Sequence, residues 1–311
     1  MTRIALATAI AATGLDDDMP SLLAACARAG LSAQALAWDD PTVSWHRFDA
    51  VLLRSPWDYT ERLSEFLAWC ERVDRVSRLL NPLPVLRWNT DKHYLAQLAA
   101  RGVPVVPSVF VEPDMEPMPS LQAFLAGHPD AGEFVVKPAV SAGSRDTQRY
   151  SRAQEFAAAN HVGRLLDAGR SVLLQPYLAS VDRDGETALM HFDGEFSHAI
   201  RKGPLLRPDQ GATEALFAAE AIVPRTPGDD EKALARDVLA AMSQLLTLDA
   251  PLPYARVDLI RDADGAPRLL ELELCEPSLF FDHAPGSADA FVKLLAERLI
   301  GSSRKKRRAA L

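Results

Sequence analysis

The sequence predicts an α/β fold that continues into α+β segments, and three observations support this prediction. Residues 3–10 form a continuous apolar run, typical of a parallel strand that is covered on both faces. Apolar runs and amphipathic segments then alternate as far as residue 75. Two strand patterns joined by a short polar turn follow at 254–261 and 268–275, which is typical of an antiparallel hairpin. A doubly wound parallel sheet followed by antiparallel strands is therefore expected.

Composition excludes several classes of protein. Hydrophobic residues make up 48% and charged residues 24% of the 311 residues, which indicates a globular chain. The formal net charge is -8 although residues 304–308 are all basic, so the body is acidic and no nucleic-acid partner is expected. No apolar run is long enough to cross a membrane, so no membrane partner is expected. The three cysteines are widely spaced, which suits a reducing cytoplasm.

The N-terminal elements follow one another at short spacing. Apolar runs predict strands and amphipathic runs predict helices, in the order 3–10 (strand), 18–30 (helix), 32–38 (strand), 49–54 (strand) and 60–75 (helix). In such sheets ligands bind beyond the carboxyl ends of the strands. Residues 54–59 follow the third strand and are therefore a candidate substrate site, although Trp57 and Tyr59 also fit ordinary core packing.

The later elements are shorter and more widely spaced. A proline-containing linker is expected at 79–89, and no clear element at 203–228. The remaining predicted helices and strands are helix 90–102, strand 132–138, strand 171–178, strands 186–192 and 195–202, helix 229–248, strands 254–261 and 268–275, and helix 287–300.

Lys137 is the first residue that indicates chemistry. Lysine occurs only 7 times against 27 arginines, and Lys137 ends an apolar strand that a Ser/Ala/Gly loop follows at once. A lysine there suggests a need for a compact charge, and loop N–H groups of this kind can surround phosphate oxygens. A lysine that extends to solvent before an ordinary turn is the alternative.

The late strand pair is the second indication. If Asp264 and Gly265 form a two-residue turn, Asp258 lies opposite Glu271, and Arg256 lies opposite Glu273. Directly opposed carboxylates repel, and a divalent cation such as Mg²⁺ would remove that conflict. The alternative is an exposed acidic face with an arginine as partial counter-ion. A weaker indication is LLQPYLA, where Gln175 and Tyr177 end a strand that can offer backbone groups to an adenine.

Together these segments resemble the ATP-grasp ligases of the glutathione-synthetase and ribosomal-modification type. The resemblance rests on the order of NTDKHYL, FVVKP with its flexible loop, LLQPYL, AIRKGP, RVDLI and LELELCEPS, and it covers most of residues 3–300. Within that group RSPWDY, RWNTDKHYL, VVKPAVSAGSRDT and ELELCEPSLF are similar to cyclo-ligases that close O-ureidoserine into cycloserine. The resemblance implies an N-terminal domain (1–88), a central lid domain (89–178), a C-terminal domain with the metal site (179–301) and a disordered basic tail (302–311).

The resemblance also implies roles for individual residues. The nucleotide would be held by Lys92, Lys137, Ser141, Ala142, Gly143, Ser144, Gln175, Tyr177, Leu178 and Asp182. The γ-phosphate and the transferred phosphoryl group would be held by Arg201, Lys202 and Arg256. Two Mg²⁺ ions, with Mn²⁺ able to substitute, would be bound by Asp258, Glu271 and Glu273. The family usually has Asn at the position of Glu273, so the coordination expected here differs from the family's pattern.

The implied activity is an ATP-dependent, Mg²⁺-dependent carbon–nitrogen ligase. A carboxylate of an amino-acid-like substrate would become an acyl phosphate, and a nitrogen of the same molecule or of an amine would then displace phosphate. The substrate would lie among Arg54, Ser55, Trp57, Asp58, Tyr59, Glu276 and Ser278, with Arg54 on a carboxylate and Asp58 or Glu276 on an α-amino group. An intermolecular ligase, a small-molecule kinase and a non-catalytic nucleotide-binding protein are the alternatives. A homodimer is a further expectation from the resemblance.

Overall fold

The structure is a computed structural model that describes residues 2–207, 211 and 221–309, with side chains as far as residue 300. The strands within these residues form three sheets, of four, four and five strands. None of the helices in the described segments is long and apolar enough to cross a membrane.

The N-terminal sheet is parallel and covered on both faces. Its strands lie in the order β2-β1-β3-β4, and its elements are β1 (Arg3–Thr8), α1 (Asp18–Arg28), β2 (Ser32–Ala37), β3 (Ala50–Ser55), α2 (Leu63–Val76) and β4 (Leu79–Leu80). Because side chains alternate along a strand, Ile4 and Leu6 of β1 pack with α1, whereas Ala5 and Ala7 pack in the cluster that contains α2. The predicted doubly wound sheet is confirmed.

The segment expected to be a linker contains a helix instead. Pro82 precedes α3 (Leu83–Asn89), and Pro84 lies in its first turn, where a missing N–H breaks no helical hydrogen bond. The Asn89 side chain donates to Leu272 O (2.7 Å) and accepts from Leu274 N (2.7 Å), so it pairs α3 with a strand far along the chain. The next helix, α4 (Tyr94–Ala99), is shorter than the predicted 90–102.

The middle sheet and its two helices form a small α+β unit. Its strands lie in the order β5-β8-β6-β7, and its elements are β5 (Val109–Val111), α5 (Pro117–Gly127), β6 (Glu133–Pro138), β7 (Gln148–Ser151), α6 (Glu155–Asp167) and β8 (Val172–Pro176). Leu121, Phe134 and Val162 represent the apolar cluster that joins the sheet to both helices. The sequence analysis predicted neither β7 nor α6, although α6 buries an apolar face that includes Ala158, Val162 and Leu165.

The third sheet is antiparallel and has the order β11-β10-β9-β12-β13. Its elements and the surrounding helices are α7 (Ser180–Asp184), β9 (Glu186–Phe192), β10 (Glu195–Lys202), β11 (Ile222–Arg225), α8 (Asp229–Leu245), β12 (Tyr254–Arg261), β13 (Pro267–Glu273) and α9 (Ser287–Ala309). The predicted structureless stretch contains β11, and its positions 208–210 and 212–220 lie outside the described residues. The last helix continues past the predicted residue 300, so the tail expected to be disordered is helical to 309, and 310–311 lie outside the described residues.

The hairpin of β12 and β13 has the predicted pairs but not the predicted turn. Asp258 lies opposite Glu271, and Arg256 lies opposite Glu273. The turn spans 262–266 and closes with a hydrogen bond from Asp262 N to Ala266 O (2.9 Å), so it is longer than two residues. Next to the turn, the pairing is displaced by one residue from the predicted register. Leu270 is an extra, unpaired residue of β13, and it restores the predicted register before the two acidic pairs.

Two buried histidines make stability depend on pH. His161 of α6 and His191 of β9 are 6% and 1% exposed, and burial lowers the pKa of each to about 4, below the ordinary value of 6.5. The unfolded chain therefore binds more protons between these values, so the free energy of unfolding should fall as pH drops from 6.5 to 4. At pH 5 the loss should be about 2 kcal/mol for each histidine.

Urea unfolding at pH 7.5 and pH 5 measures this effect. His191→Gln should lose less stability than the wild type between the two pH values, by about 2 kcal/mol. His46→Gln removes an exposed histidine and serves as the matched control. Equal pH dependence in His191→Gln and the wild type would contradict the prediction.

Candidate active site

A cleft of about 700 Å³ lies where the three sheets meet. The middle sheet contributes Lys137 and Gln175, and the antiparallel sheet contributes Lys202, Arg256, Glu271 and Glu273. The loop after β1 and the segment after β13 line it as well. Side chains from segments far apart in the sequence thus face one space, which is the usual architecture of a small-molecule site.

Four cationic side chains line the cleft: Lys92, Lys137, Lys202 and Arg256. Lys137 is 7% exposed, and its side-chain ammonium group forms no hydrogen bond or ion pair with any described residue. Burial lowers its pKa to about 8, partly offset by the carboxylate of Glu271. A buried ammonium group that faces a cleft without a protein partner favours binding of an anion such as a phosphate.

Lys92 lies just before α4 and contacts both the loop after β6 and strand β13. Its ammonium group donates to Ser141 O (2.6 Å) in the loop after β6 and lies 2.9 Å from Glu271 Oε1 on β13. Its backbone N–H also donates to Ala139 O (2.9 Å). Lys92 therefore holds the loop after β6 in place as well as placing a charge in the cleft.

Asp258 lies beneath the cleft and holds two of its cations. It is 1% exposed and does not line the cleft. Its carboxylate accepts hydrogen bonds from Lys202 Nζ (2.7 Å) and from Arg256 Nε (2.9 Å) and Nη2 (2.8 Å). Burial alone would raise the pKa of Asp258, but these cations hold it well below its usual value. Lys202 also donates to Glu186 Oε1 (2.6 Å).

Glu271 and Glu273 line the cleft from the same side of β13, as their spacing of two residues predicts. Burial raises the pKa of Glu273 to about 8, and Arg256, its partner in an ion pair, opposes that increase. Burial also acts on Glu271, but Lys92 and Lys137 outweigh it and lower its pKa. The carboxylate oxygens of this pair fit a hard cation such as Mg²⁺.

The expected cluster of three metal-binding carboxylates is not assembled. Among the residues with described side chains, no group of three or more His, Cys, Asp or Glu side chains converges as metal ligands. Asp258 does not join Glu271 and Glu273 as a metal ligand, because its carboxylate is hydrogen-bonded to Lys202 and Arg256. Of the three expected metal ligands, Glu271 and Glu273 line the cleft and Asp258 does not.

The loop after β6 covers one side of the cleft. Ser141, Ala142, Gly143 and Ser144 all line it, as expected. Gly143 (φ 59°) and Ser144 (φ 59°) have left-handed backbones, so the loop is tightly curved. The next residue, Arg145, forms an ion pair with Glu61, which lies just before α2, and Asp146 forms one with Arg170 (2.6 Å), which lies just before β8. The loop is thus tied both to the N-terminal part of the chain and to its own sheet.

Three residues at the end of β8 line the opposite wall, as predicted: Gln175, Tyr177 and Leu178. Gln175 donates to Ser108 Oγ (2.9 Å), so its side chain is already engaged. Asp182 does not line the cleft, and it instead accepts a hydrogen bond from the Tyr177 hydroxyl (2.6 Å). Asp182 thus supports the wall of the cleft through Tyr177. Because its own side chain does not line the cleft, its position does not support the expected contact with a ribose.

Arg201 lies off the cleft, contrary to the expectation that it holds a phosphoryl group. Its guanidinium group donates to the carbonyl groups of Asp184 (2.6 Å) and Arg183 (3.0 Å). Adjacent residues of a strand point to opposite faces, and the pairing of β10 is uninterrupted from His198 to Lys202, so Arg201 and Lys202 cannot both face the cleft.

Most residues expected to bind substrate after β3 are engaged elsewhere. Arg54 is fully buried, lies 3.1 Å from Asp18 Oδ2 and donates to Pro277 O (3.1 Å), so it is not available to a substrate carboxylate. Ser55 donates to Thr8 Oγ1 (2.8 Å). Asp58 accepts from the indole of Trp38 and from Arg62, and it does not line the cleft.

Glu276, Ser278 and Trp57 do line the cleft, as expected. The Glu276 carboxylate accepts a hydrogen bond from the Tyr59 hydroxyl (2.6 Å), and its carbonyl accepts one from Trp57 Nε1 (3.1 Å). Burial raises the pKa of Glu276 to about 7. Tyr59 is 2% exposed and contributes by this hydrogen bond, since it does not line the cleft itself.

The sequence analysis missed the loop after β1. Residues 14–18 line the cleft, and Asp18 accepts hydrogen bonds from the backbone N–H groups of Leu279 (2.5 Å) and Phe281 (2.9 Å). The rule that identified residues 54–59, namely that ligands bind beyond the carboxyl ends of parallel strands, applies equally to β1. The same rule would therefore have found this loop.

Comparisons with known proteins agree across the whole chain. A family model described as the N-terminal domain of D-cycloserine synthetase DcsG matches residues 4–81. The chain is 49% identical over 299 residues to the cycloserine biosynthesis protein DcsG of Streptomyces lavendulae, covering 96% of this chain and 99% of that protein.

Solved structures show the same relationship. The crystal structure of D-cycloserine synthetase DcsG superposes with a TM-score of 0.91 at 48% identity, covering 96% of this chain and 99% of that one. D-alanine–D-alanine ligase from Bacillus anthracis superposes with a TM-score of 0.68 at 13% identity, covering 98% and 99% of the two chains, which is a likeness of fold.

Lys137 supplies a direct test of anion binding in the cleft. Lys137→Ala should weaken binding of the non-hydrolysable ATP analogue AMPPNP by about 10- to 100-fold, because the phosphates lose a buried cationic donor. Isothermal titration calorimetry measures this Kd. Lys293→Ala removes an exposed lysine of α9 and is the matched control. An unchanged Kd in Lys137→Ala would remove this lysine from the phosphate site.

Proposed function

The chain belongs to the family of ATP-grasp ligases that includes the cycloserine biosynthesis protein DcsG, and we propose that it closes O-ureidoserine into cycloserine with ATP. The supporting observation is 49% identity to that protein over nearly the full length of both chains. The cleft agrees with this proposal because buried cations, which suit a triphosphate, face carboxylates within one enclosed space.

The proposed reaction has three steps. The substrate carboxylate attacks the γ-phosphorus of ATP, which gives an acyl phosphate and releases ADP. The ureido nitrogen that is bonded to oxygen attacks the acyl carbon and expels phosphate, which closes the ring. The carbamoyl group then leaves by hydrolysis as CO₂ and ammonia. The product is lighter than the substrate by ammonia and CO₂, which mass spectrometry can detect.

The contribution of the protein is mainly positioning and charge. Lys92 and Lys137 are proposed to hold the nucleotide phosphates, and Lys202 and Arg256 the phosphoryl group in transfer. Because Asp258 fixes both Lys202 and Arg256, these donors are oriented before the substrate arrives. The loop at 141–147 is proposed to exclude water, which would otherwise hydrolyse the acyl phosphate.

The ligase uses a divalent metal ion, and we propose two Mg²⁺ ions with Mn²⁺ able to substitute. Glu271 and Glu273 are the proposed protein ligands, since they are the acidic residues of β13 that line the cleft. A bound Mg²⁺ would neutralise charge on the triphosphate. We further propose a cytoplasmic location, where ATP is available. The expected homodimer remains a prediction.

An ADP-release assay tests the proposal. ADP formation with O-ureidoserine alone, together with cycloserine in the mass spectrum, would support cyclisation. ADP formation that requires an added amine would indicate an intermolecular ligase instead, and a stable phosphorylated product would indicate a kinase. No ADP formation with O-ureidoserine and Mg²⁺ would overturn the proposal, and serine is the matched control for the ureido group.

Glu271→Gln tests the metal assignment. The change preserves size but removes the charge, so kcat should fall by at least about 100-fold and the Mg²⁺ concentration for half-maximal activity should rise. Steady-state rates at several Mg²⁺ concentrations measure both effects. Glu195→Gln alters an exposed glutamate of the same sheet and should behave like the wild type. Full activity of Glu271→Gln at low Mg²⁺ would contradict the assignment.

A further inference from the structure

We propose that Glu276 binds the α-ammonium group of the substrate and that Tyr59 positions it for that role. This inference rests on the proposed function, because it assumes an amino-acid-like substrate in the cleft. It assigns a specificity determinant: a free α-amino group should be required for tight binding.

The Glu276 carboxylate has one engaged oxygen and one free oxygen. The residue is 7% exposed and lines the cleft directly after β13. Oε1 accepts the Tyr59 hydroxyl hydrogen bond at 2.6 Å, whereas Oε2 receives no hydrogen bond from any residue whose side chain the structure describes. The carbonyl group of Glu276 accepts from Trp57 Nε1, which fixes the backbone at this point. The side chain is thus held from two directions while one acceptor remains for a ligand.

The energetics favour a cationic ligand at this acceptor. Burial raises the pKa of Glu276 to about 7, which reflects the cost of holding a negative charge at this position. An ammonium group would offset that cost by donating to the free oxygen. Burial raises the pKa of Tyr59 well above its ordinary value, so its hydroxyl remains protonated and remains a donor to Glu276.

The other nearby carboxylates are less suitable for this role. Asp58 is paired with Trp38 and Arg62 outside the cleft. Asp18 accepts from backbone N–H groups and pairs with Arg54. Asp16 lines the cleft, but its unpaired oxygen, Oδ2, has almost no accessible surface.

Asp17 and Asp282 are the exposed competitors. Both line the cleft, and an ion pair with either of them would be weakened by water. Glu276 is buried, which strengthens a charge-assisted hydrogen bond. The position of Glu276 next to both Ser278 and the acidic end of β13 also places it beside the proposed reaction site.

Two substrates separate this inference from the proposed function. O-Ureidoserine carries the α-amino group, and 3-(ureidooxy)propanoic acid lacks it but retains the reacting carboxylate and ureido nitrogen. Binding of each to the AMPPNP-loaded enzyme is measured by calorimetry, and turnover is measured by ADP release. The wild type should prefer the amino compound by about 100-fold in Kd and in kcat/KM.

Glu276→Gln should abolish this preference. Its carboxamide still accepts from Tyr59 but carries no charge, so only the amino compound should lose affinity, by about 100-fold, with AMPPNP affinity unchanged. Tyr59→Phe should raise KM for the amino compound by about 10-fold and change kcat little, because it removes one hydrogen bond to the carboxylate. Glu195→Gln is the matched surface control.

The outcomes are distinct. Equal losses for both compounds in Glu276→Gln, or equal wild-type affinity for both, would overturn the inference even if cyclisation occurs. If Asp17→Asn selectively weakens binding of the amino compound and Glu276→Gln does not, the inference is overturned and Asp17 is the residue that binds the ammonium group. A preference in binding that Glu276→Gln removes, without any turnover, would support the inference and overturn the proposed cyclisation alone.

Discussion

The cleft depends on the buried carboxylate of Asp258. Four cations around one space repel each other, and two of them, Lys202 and Arg256, are held together by this side chain. Because Asp258 is 1% exposed, its charge is little screened and acts on both partners. Removing one member would leave an uncompensated charge in the interior, which is much less favourable than the intact group. The orientation of Lys202 and Arg256 is therefore a property of the folded sheet.

The N-terminal domain contributes mainly by fixing the far side of the cleft. Arg54 and Asp18 form a fully buried ion pair, and both also bind the backbone at 277–281. These contacts hold the segment after β13 in a conformation that includes a left-handed residue, Phe280 (φ 53°). Arg54, which was expected to bind substrate, thus instead shapes the segment that carries Glu276 and Ser278. These two residues line the cleft.

The sequence predicted the sheets better than the directions of individual polar side chains. Apolar periodicity identified β1, β3, β9, β10 and β12, because burial on one or both faces leaves a direct pattern. The opposed pairs of β12 and β13 were predicted correctly from a turn that proved wrong, since the extra residue Leu270 cancelled the shift that the longer turn introduced. Such a compensation has no signature in one sequence.

Charged residues at strand ends were harder to predict. Arg54 and Lys137 both lie near the ends of apolar strands, yet one is ion-paired in the interior and the other faces the cleft without a described partner. The difference lies in what approaches from elsewhere: the loop after β1 supplies Asp18 to Arg54, and no carboxylate with a described side chain reaches hydrogen-bonding distance of Lys137. Period-two alternation separates Lys202 from Arg201, but only the fold shows which of the two faces the cleft.

The glutamate at position 273 has a physical consequence for how the site is prepared. A neutral Asn, which the family resemblance leads one to expect at this position, would carry no charge to pair with Arg256. Glu273 adds a second anionic partner to Arg256 from within the cleft. Burial raises the pKa of Glu273, and the positive charge of Arg256 opposes that increase. In the proposed function, Arg256 would exchange Glu273 for phosphate oxygens while Asp258 keeps its hydrogen bonds to Arg256. Glu273 would then be free to bind the proposed metal ion, so the extra carboxylate would link nucleotide binding to the metal site.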